Sequence, residues 1–299
     1  MKLLIAGSSV EDMIHTNGKV LNQPGGMFYV ASAFDVLKED GDEIFMLTNL
    51  SEKQKHLYFP LYERFNRSLV NIVDQLPVNH LLIHEKGERE EKYEYLTEKI
   101  KFDPAALSDL NLRGVLVNLI TGFDFTPDDL KTIKSITQAP VFLDIHSRAR
   151  SFSEDGNRDF AKIDDIDQWA ASVDILQANE TEILCCGTGE IEESIVENIL
   201  NLGVKIVLVT KGDLGVRMYY RQDGEINSLF AKAIKVETIN KVGCGDVFGA
   251  AFFLNWLRTG DAVKALYAGN AAGAVISTYK TTEQIENLKK DVDSLLYEK

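Results

Sequence analysis

The chain has 299 residues and a mass of 33.5 kDa, enough for one large α/β domain or two small ones. Its composition, 45% hydrophobic and 26% charged, argues against intrinsic disorder, collagen and coiled coil. Lys and Arg number 32 against 46 Asp and Glu, giving a net charge of −14. Because nucleic acids and anionic membranes repel such an acidic chain, we expect neither as a partner.

Short apolar runs rich in β-branched residues recur along the chain and predict strands that are buried on both faces. These runs are Leu3–Ala6, Ile44–Leu47, Val115–Ile120, Val141–Leu143, Val173–Leu176 and Ile206–Thr210. Met27–Leu37 has apolar residues at helical spacing, and Thr126-Pro127 followed by two acidic residues is typical of a helix start. Alternating strands and helices predict an α/β fold with a doubly wound, mainly parallel sheet.

A few short segments depart from this alternation. Leu81–His84 and Tyr93–Leu96 are strand-like and flank a charged turn, Glu85–Lys92, which predicts an antiparallel hairpin. Asn17–Leu21 is a further candidate strand. We therefore predict a single domain, residues 1–299, with a small antiparallel β lid drawn from about 13–24 and 80–100 that covers a site. The alternative is that these segments only decorate the surface.

The cysteines and the apolar segments bear on the location of the protein. The chain has three cysteines, of which Cys185 and Cys186 are adjacent, so the sequence predicts no disulfide framework and a cytoplasmic location. The first apolar run ends after Ala6, which is too short for a secretion signal. No apolar run reaches the roughly 18 residues of a membrane-spanning helix.

The most informative stretch is a glycine-rich turn that leads into an apolar helix, Asn240–Gly249 (N-K-V-G-C-G-D-V-F-G). Successive backbone N–H groups in such a turn, together with the positive end of the helix dipole, bind anions. Asp246 lies in the first helical turn, where a carboxylate can take a proton from a hydroxyl group while the N–H groups hold a phosphate. A plain glycine turn with an acidic residue at a helix start is the alternative. The G-x-G-x-x-x-G spacing differs from that of a dinucleotide fingerprint.

Gly243–Phe248 (G-C-G-D-V-F) resembles the G-A-G-D-x-F motif of the ribokinase-like (PfkB) carbohydrate kinases. Further matches follow the chain order of that family. Gly7–Asp12 is similar to its first strand and substrate-binding Asp, and Gly25-Gly26 is similar to its di-glycine. Asn179–Glu182 is similar to its N-x-x-E motif, Val209–Val216 resembles its nucleotide-binding strand and turn, and Asn270 stands where its late helix borders the adenine. The resemblance spans nearly the whole chain.

This resemblance implies an ATP-dependent kinase that transfers the γ-phosphoryl group to a hydroxyl of a sugar or nucleoside-like molecule. Asp246 would be the general base, and the N–H groups of Gly243, Cys244 and Gly245 would form the anion hole. Cys244 stands where the family usually has Ala, and we interpret it as a packing residue.

The resemblance also implies binding residues on both sides of that centre. Asp12, Gly25 and Gly26 would hold substrate hydroxyls, although Asp12 alone could cap a turn. The residues implied to bind ATP are Asn179, Thr210, Lys211, Gly212 and Asn270, and those implied to bind Mg²⁺ and its waters are Asn179 and Glu182. An ordinary helix start after Asn179 and a solvated Lys211 are the alternatives.

The chain departs from the family pattern at three places. Asn240-Lys241-Val242 replaces the usual D-T-x, which puts activation by a monovalent cation in doubt. Val30 stands where many sugar kinases have Asn, which predicts a more apolar and aromatic pocket wall. Arg148 ends a segment similar to D-x-N-x-R and is expected either to reach a phosphate or to pair with an acidic neighbour.

These departures support an alternative function, a catalytically weak kinase-like protein that binds or senses a metabolite. The retained Gly243–Asp246 unit argues against it, because binding alone needs no general base. Since the lids of this family often pair, we also predict a homodimer that forms through the lid.

Overall fold

The structure is a computed structural model that describes residues 1–16, 18–82, 90–96, 99–153, 158–188 and 191–297. Its strands are β1 (Lys2–Ala6), β2 (Ser9–Thr16), β3 (Lys19–Gly26), β4 (Glu43–Leu47), β5 (Asn49–Ser51), β6 (Asn71–Val73), β7 (Val78–Leu82), β8 (Glu90–Glu94), β9 (Gly114–Asn118), β10 (Val141–Asp144), β11 (Arg150–Phe152), β12 (Arg158–Phe160), β13 (Ile175–Asn179), β14 (Ile206–Thr210), β15 (Gly215–Gln222) and β16 (Glu225–Lys232).

The α-helices are α1 (Met27–Leu37), α2 (Pro104–Ser108), α3 (Pro127–Thr137), α4 (Ile166–Ala170), α5 (Glu182–Cys185), α6 (Glu192–Asn201), α7 (Cys244–Thr259), α8 (Ala262–Ser277) and α9 (Leu288–Tyr297). Short 3₁₀ helices cover Lys55–Leu57, Leu61–Arg64, His146–Ala149, Gly212–Leu214 and Thr282–Asn287. None of the helices within the described residues is both long enough and apolar enough to cross a bilayer.

Eight strands form the main sheet, in the order β16-β15-β14-β13-β10-β9-β1-β4. The six strands from β14 to β4 pair in parallel, and β15 and β16 add an antiparallel edge. The predicted α/β fold with a mainly parallel sheet is thereby confirmed. Each of the six apolar runs in the sequence overlaps one of the parallel strands, because strands that are buried on both faces have continuous apolar sequences.

Both faces of the main sheet are covered by helices. Neighbouring residues of a strand point to opposite faces, so Leu3 and Ile5 of β1 join one core cluster while Leu4 and Ala6 join the other. Residues of α1, α7 and α8 complete the first cluster, and residues of α3 and α6 complete the second. At roughly 1.5–3 kcal/mol for each large apolar side chain, this burial holds the strand ends in fixed positions.

The helix starts follow from local sequence. At α3, the Thr126 side chain accepts a hydrogen bond from the Asp129 N–H, and the Asp129 carboxylate accepts one from the Thr126 N–H. The sequence predicted the Thr cap and Pro127 at the first turn, and the structure adds the reciprocal hydrogen bond to Asp129. The predicted helix Met27–Leu37 coincides with α1.

A second, small sheet has the order β3-β2-β7-β8 and lies apart from the main sheet. The predicted hairpin is present as the antiparallel pair β7 and β8, and residues 83–89 between them lie outside the described residues, as does Asn17. The small sheet is mixed rather than antiparallel throughout: β2 pairs with β3 and β7 with β8 antiparallel, as predicted, whereas β2 pairs with β7 in parallel. More than 60 residues separate these two strands, and a long crossover, unlike a hairpin, permits parallel pairing.

Candidate active site

A cavity of about 1240 Å³ is bounded by the small sheet and by the carboxyl ends of β10, β13 and β14. One part of it, the lid half, is lined by Val10, Asp12, Gly26, Tyr29, Asn79, Leu81, Glu91, Tyr93 and Ile120. The other part, the loop half, is lined by Thr210, Gly212–Val216, residues of 230–242, and Asn270, Gly273, Ala274 and Ser277 of α8. The start of α7 lines the cavity together with Asp144, His146, Gln177, Asn179 and Glu182.

The start of α7 brings the predicted catalytic residues together. Gly243 precedes the helix with a φ of 79°, and a Cβ on it would lie 2.3 Å from the Tyr29 ring, so this position requires glycine. The first N–H groups of a helix have no partner within the helix, and here they belong to residues that line the cavity. Asp246 lies in this first turn, and its carboxylate accepts a 2.6 Å hydrogen bond from the Asn118 side chain.

Asn118 was not identified from the sequence. It is the last residue of β9, is 1% exposed, and lies 128 positions from Asp246 along the chain. The available signal was a polar residue that ends the apolar run G-V-L-V-N at the carboxyl edge of a parallel sheet, where α/β proteins bind ligands.

In the lid half, Asp12 is 4% exposed and accepts a 3.3 Å hydrogen bond from the Asn79 side chain. A Cβ on Gly25 would lie 2.1 Å from the Asp12 carboxylate, so the missing side chain makes room for that carboxylate. Gly26 has a φ of 58° and lines the cavity. The three residues that the sequence assigned to substrate hydroxyls therefore lie together, with Gly25 behind Asp12.

Tyr29 links the lid half to the start of α7. Burial raises the pKa of its hydroxyl well above the ordinary value, and the negative charges of Asp12 and Asp246 raise it further. The hydroxyl therefore stays protonated, and it accepts a 3.0 Å hydrogen bond from the Gln23 side chain. A neutral phenol, flanked by the fields of two carboxylates, is a suitable donor for a polar ligand.

An acidic cluster lies at the carboxyl ends of β10 and β13. The Asn179 side chain accepts hydrogen bonds from the Thr181 N–H (2.9 Å) and the Glu182 N–H (2.8 Å), and the Glu182 carboxylate accepts from the Asn179 N–H (2.8 Å). The predicted N-x-x-E motif is thus a reciprocal cap at the start of α5. It holds the Glu182 carboxylate against the cavity, where His146 Nδ1 lies 3.3 Å from it.

The charges of this cluster are coupled. Burial opposes protonation of His146, but the hydrogen bond to Glu182 and the negative charges of Glu182, Asp144 and Asp246 outweigh it and raise the pKa of the ring to about 9. Burial also raises the pKa of Asp144, which accepts a 2.6 Å hydrogen bond from the Gln177 side chain. His146 is therefore a cation at neutral pH.

The side-chain oxygens of Asn179 and Glu182 fit the role of ligands for a hydrated magnesium ion. Mg²⁺ commonly contacts one or two carboxylates and keeps several waters, so a closed protein cage is unnecessary. Asn179 and Glu182 both line the cavity and lie on the same turn. Within the described residues, no group of three or more His, Cys, Asp or Glu side chains is arranged to hold a metal.

In the loop half, three of the residues that the resemblance assigned to ATP, Thr210, Gly212 and Asn270, line the cavity, and Asn270 donates a 2.8 Å hydrogen bond to the Lys232 carbonyl. Lys211 does not line it: its ammonium group pairs with Glu192, and only its backbone follows the turn. The remaining wall is largely apolar and contains Leu214, Val216, Phe230, Ile234 and Val236.

One interpretation of the departures needs correction, and for Arg148 the structure shows the second of the two alternatives, a pair with an acidic neighbour. Val30 does not form a pocket wall, because it is buried in the core, and its neighbour Tyr29 supplies the aromatic wall instead. Arg148 pairs with Asp165 at 2.7 Å and lies outside the cavity lining, whereas Arg150, which the sequence did not single out, belongs to it. Burial raises the pKa of the Cys244 thiol to about 12, so it is neutral at physiological pH.

Comparisons with known proteins identify relatives of this chain. A family model described as "pfkB family carbohydrate kinase" matches residues 134–288, which is more than half of the chain. The chain is 30% identical over 208 residues to a hydroxymethylpyrimidine/phosphomethylpyrimidine kinase of Aquifex aeolicus, and this match covers 62% of the chain and 72% of that protein.

Solved structures show the same fold at low sequence identity. A pyrophosphate-dependent kinase in the ribokinase family, in complex with sulfate, has a TM-score of 0.78 at 16% identity, with 97% of this chain and 99% of that chain covered. A putative ribokinase II from E. coli, in complex with ATP and Mg²⁺, has a TM-score of 0.76 at 15% identity, with 100% and 99% covered. The chain therefore belongs to the pfkB family of carbohydrate kinases, has the ribokinase-like fold, and is a phosphotransferase.

Proposed function

We propose that the protein is an ATP-dependent kinase that transfers the γ-phosphoryl group to a hydroxyl group of a sugar or nucleoside-like molecule. The observation that carries this proposal is the position of Asp246. Its carboxylate is held by Asn118 at the start of α7, and it lines a cavity with a polar lid half and an apolar loop half.

In the proposed reaction, the acceptor lies in the lid half, where Asp12 and Asn79 bind its hydroxyl groups. Asn118 donates to one oxygen of Asp246, and the carboxylate takes the proton from the reacting hydroxyl. The hydroxyl oxygen then forms a bond to the γ-phosphorus as the bond between that phosphorus and the bridging oxygen of ADP breaks. Such general-base assistance is worth about 10²–10⁴-fold in rate.

The N–H groups of Gly243, Cys244 and Gly245 are proposed to bind the phosphoryl oxygens in transit. A helix N-terminus favours an anion by up to about 2 kcal/mol in partly buried geometries. Because Gly243 is fixed against Tyr29, these donors are held in place before the reaction begins, which is the condition for electrostatic catalysis.

Asn179 and Glu182 are proposed to hold Mg²⁺, largely through its waters, and the bound ion would neutralise charge on the phosphates. The cap at the start of α5 fixes the Glu182 carboxylate for this role. The net charge of −14 does not oppose it strongly, because screening limits repulsion to about 8 Å at physiological ionic strength.

The apolar wall of the loop half supports ATP as the donor rather than pyrophosphate, which serves a relative of the same fold. A purine base buries apolar surface against residues such as Val216, Phe230 and Ile234, whereas pyrophosphate has no apolar part that would use them. Tyr29 and Tyr93 flank the lid half, which suits a sugar ring or a heterocycle such as the pyrimidine in the name of the Aquifex aeolicus relative.

The test measures phosphoryl transfer from Mg-ATP and, separately, from Mg-pyrophosphate to a panel of sugars, nucleosides and hydroxymethylpyrimidine. We expect ATP to be the donor, and we expect Asp246→Asn to lower kcat by about 10²–10⁴-fold. Asp261→Asn is the matched control, since Asp261 caps the start of the next helix, α8, away from the cavity lining, and we expect its activity to stay within about twofold of the wild type.

Three outcomes would contradict parts of this proposal. Near-full turnover by Asp246→Asn would remove the general-base assignment. Transfer from pyrophosphate alone would overturn the choice of donor. Tight ligand binding in calorimetry with no transfer for any acceptor would favour the metabolite-binding alternative.

We further propose that the small sheet forms a homodimer contact. Val20 and Leu21 of β3 are 53% and 56% exposed, and Tyr95 and Leu96, just after β8, are 57% and 41% exposed. β3 and β8 form the two edges of this sheet, and exposed large apolar side chains at a sheet edge favour association. Light scattering at micromolar concentration is expected to give a dimer mass, and a Leu21→Lys variant is expected to shift it to that of a monomer.

A further inference from the structure

Three arginines lie close together in sequence near the acidic cluster, and they have different environments. Arg148 pairs with Asp165, outside the cavity lining. Arg158 is fully buried, lies 3.4 Å from the Glu91 carboxylate, and donates to the Ser147 carbonyl at 2.8 Å. Arg150, the first residue of β11, lines the cavity.

The guanidinium group of Arg150 is not engaged by any carboxylate or side-chain acceptor of the described residues. It stacks on the Phe160 ring, with 4.2 Å between its central carbon and the ring centroid. Its Nε is buried without a hydrogen-bond partner. Stacking of this kind fixes the plane of an arginine while its edges keep their donors, which match the oxygens of a phosphate group.

The charge of Arg150 acts beside α5. Burial raises the pKa of the Cys185 thiol, and Glu182 adds to this, while the positive charge of Arg150 opposes both effects. Cys185 ends α5, whose first residue is Glu182, and Arg150 lines the same cavity as Asn179 and Glu182, the residues that we propose for Mg²⁺.

The wall on this side of the cavity otherwise repels anions. Glu182 and Asp246 both line it, and the nearby cation, His146, already contacts Glu182 at 3.3 Å. A polyphosphate that extends from the loop half towards the start of α7 passes this acidic wall. A guanidinium group beside this wall, with N–H donors that bind no other acceptor in the described part of the chain, would neutralise the negative charge of the polyphosphate.

We propose that Arg150 binds the phosphate chain of the donor beside the Asn179–Glu182 turn and stabilises the phosphoryl group during transfer. This inference rests on the proposed function, because that function places the donor phosphates between α5 and α7. It assigns the role to Arg150 rather than to Arg148, for which the sequence left a phosphate contact and a salt bridge as alternatives.

The test compares Arg150→Met and Arg150→Lys with Arg148→Met as the matched control. We expect Arg150→Met to lower kcat/KM for the donor by at least about 10²-fold while KM for the acceptor stays near the wild-type value. Arg150→Lys is expected to recover only part of the loss, because a lysine keeps the charge but lacks the planar pair of donors. Arg148→Met is expected to stay within about threefold.

Binding is measured separately from turnover, by calorimetric titration of the intact chain with Mg-ATP and with inorganic tripolyphosphate. We expect Arg150→Met to weaken tripolyphosphate binding by at least about tenfold, with a thermal unfolding midpoint close to that of the wild type. If Arg150→Met binds and turns over like Arg148→Met, or if the wild type does not bind tripolyphosphate, the inference is overturned. If the wild type transfers no phosphoryl group yet binds tripolyphosphate through Arg150, the proposed function fails and the phosphate site stands.

Discussion

The glycine at the start of α7 offers a direct test of how the two halves of the cavity meet. Gly243→Ala adds one methyl group at a φ of 79°, and the added Cβ would lie 2.3 Å from the Tyr29 ring. The same helix is followed directly by Gly260, with a φ of 68°, where an added Cβ would have no atom within 4 Å. Gly260→Ala is therefore the matched control, with similar backbone strain and no contact.

The expected magnitudes follow from this geometry. An alanine in the left-handed region costs about 1 kcal/mol relative to glycine, and both variants incur that cost. Gly243→Ala must also displace Tyr29, which is 3% exposed and packed in the core, and overpacking of this kind adds about 1–3 kcal/mol. We therefore expect losses of about 2–4 kcal/mol for Gly243→Ala and about 1 kcal/mol for Gly260→Ala.

Urea unfolding followed by fluorescence and circular dichroism measures both losses as free energies of unfolding. In a double-mutant cycle, Tyr29→Ala should relieve the clash, so its combination with Gly243→Ala is expected to show a favourable coupling of about 1–2 kcal/mol. Equal losses for Gly243→Ala and Gly260→Ala, or no coupling to Tyr29→Ala, would refute the reasoning.

Three further predictions concern stability. The pKa of His146 is raised from 6.5 to about 9, so the stability that its protonated ring contributes is complete below about pH 6.5 and is lost as the pH rises through 9. The difference in free energy of unfolding in urea between the wild type and His146→Gln should therefore fall by up to about 3 kcal/mol from pH 6 to pH 10. A constant difference would contradict the assignment. Thr126→Ala removes the cap of α3 and should cost about 1 kcal/mol in the same assay, so an unchanged unfolding midpoint would argue against that cap. Glu91→Leu leaves Arg158 buried beside an apolar group and should lower the free energy of unfolding by about 3–5 kcal/mol. Much of this loss should be recovered in the double variant Glu91→Leu/Arg158→Met. A double variant as unstable as Glu91→Leu would show that the unpaired charge of Arg158 is not the cause of the loss.

The sequence predicted the six parallel strands of the main sheet because each has its own apolar pattern, whereas the antiparallel strands β15 and β16 were not predicted. The helix Met27–Leu37 was predicted at both ends, and the run Ile206–Thr210 coincides with β14. The run Val173–Leu176 begins two residues before β13, because apolar character continues outside the hydrogen-bonded ladder. The parallel pairing of β2 with β7 could not be predicted, since the crossover between them, rather than any local signal, determines which strands become neighbours.

The residues of the candidate site also fall into those that the sequence predicted and those that it did not. Asp246 and its glycines were recognisable because a glycine turn before a helix start is a local arrangement with known chemistry. Tyr29, Asn118 and Arg150 carry no local signal of this kind. Tyr29 and Arg150 line the cavity, and Asn118 binds the Asp246 carboxylate. Asn118 and Arg150 reach these positions because the carboxyl ends of parallel strands, and the segments that follow them, converge at one edge of the sheet.

The amino-acid sequence by itself therefore determined the fold class, the family and the residues of the glycine-rich turn, because these depend on patterns within short segments. The tertiary structure alone decided that Arg150 rather than Arg148 lines the cavity, that Lys211 pairs with Glu192, and that Val30 belongs to the core. The physical reason is that the direction and the partners of a side chain depend on residues distant in sequence, whereas the tendency of a segment to form a strand, helix or turn depends mainly on the segment itself.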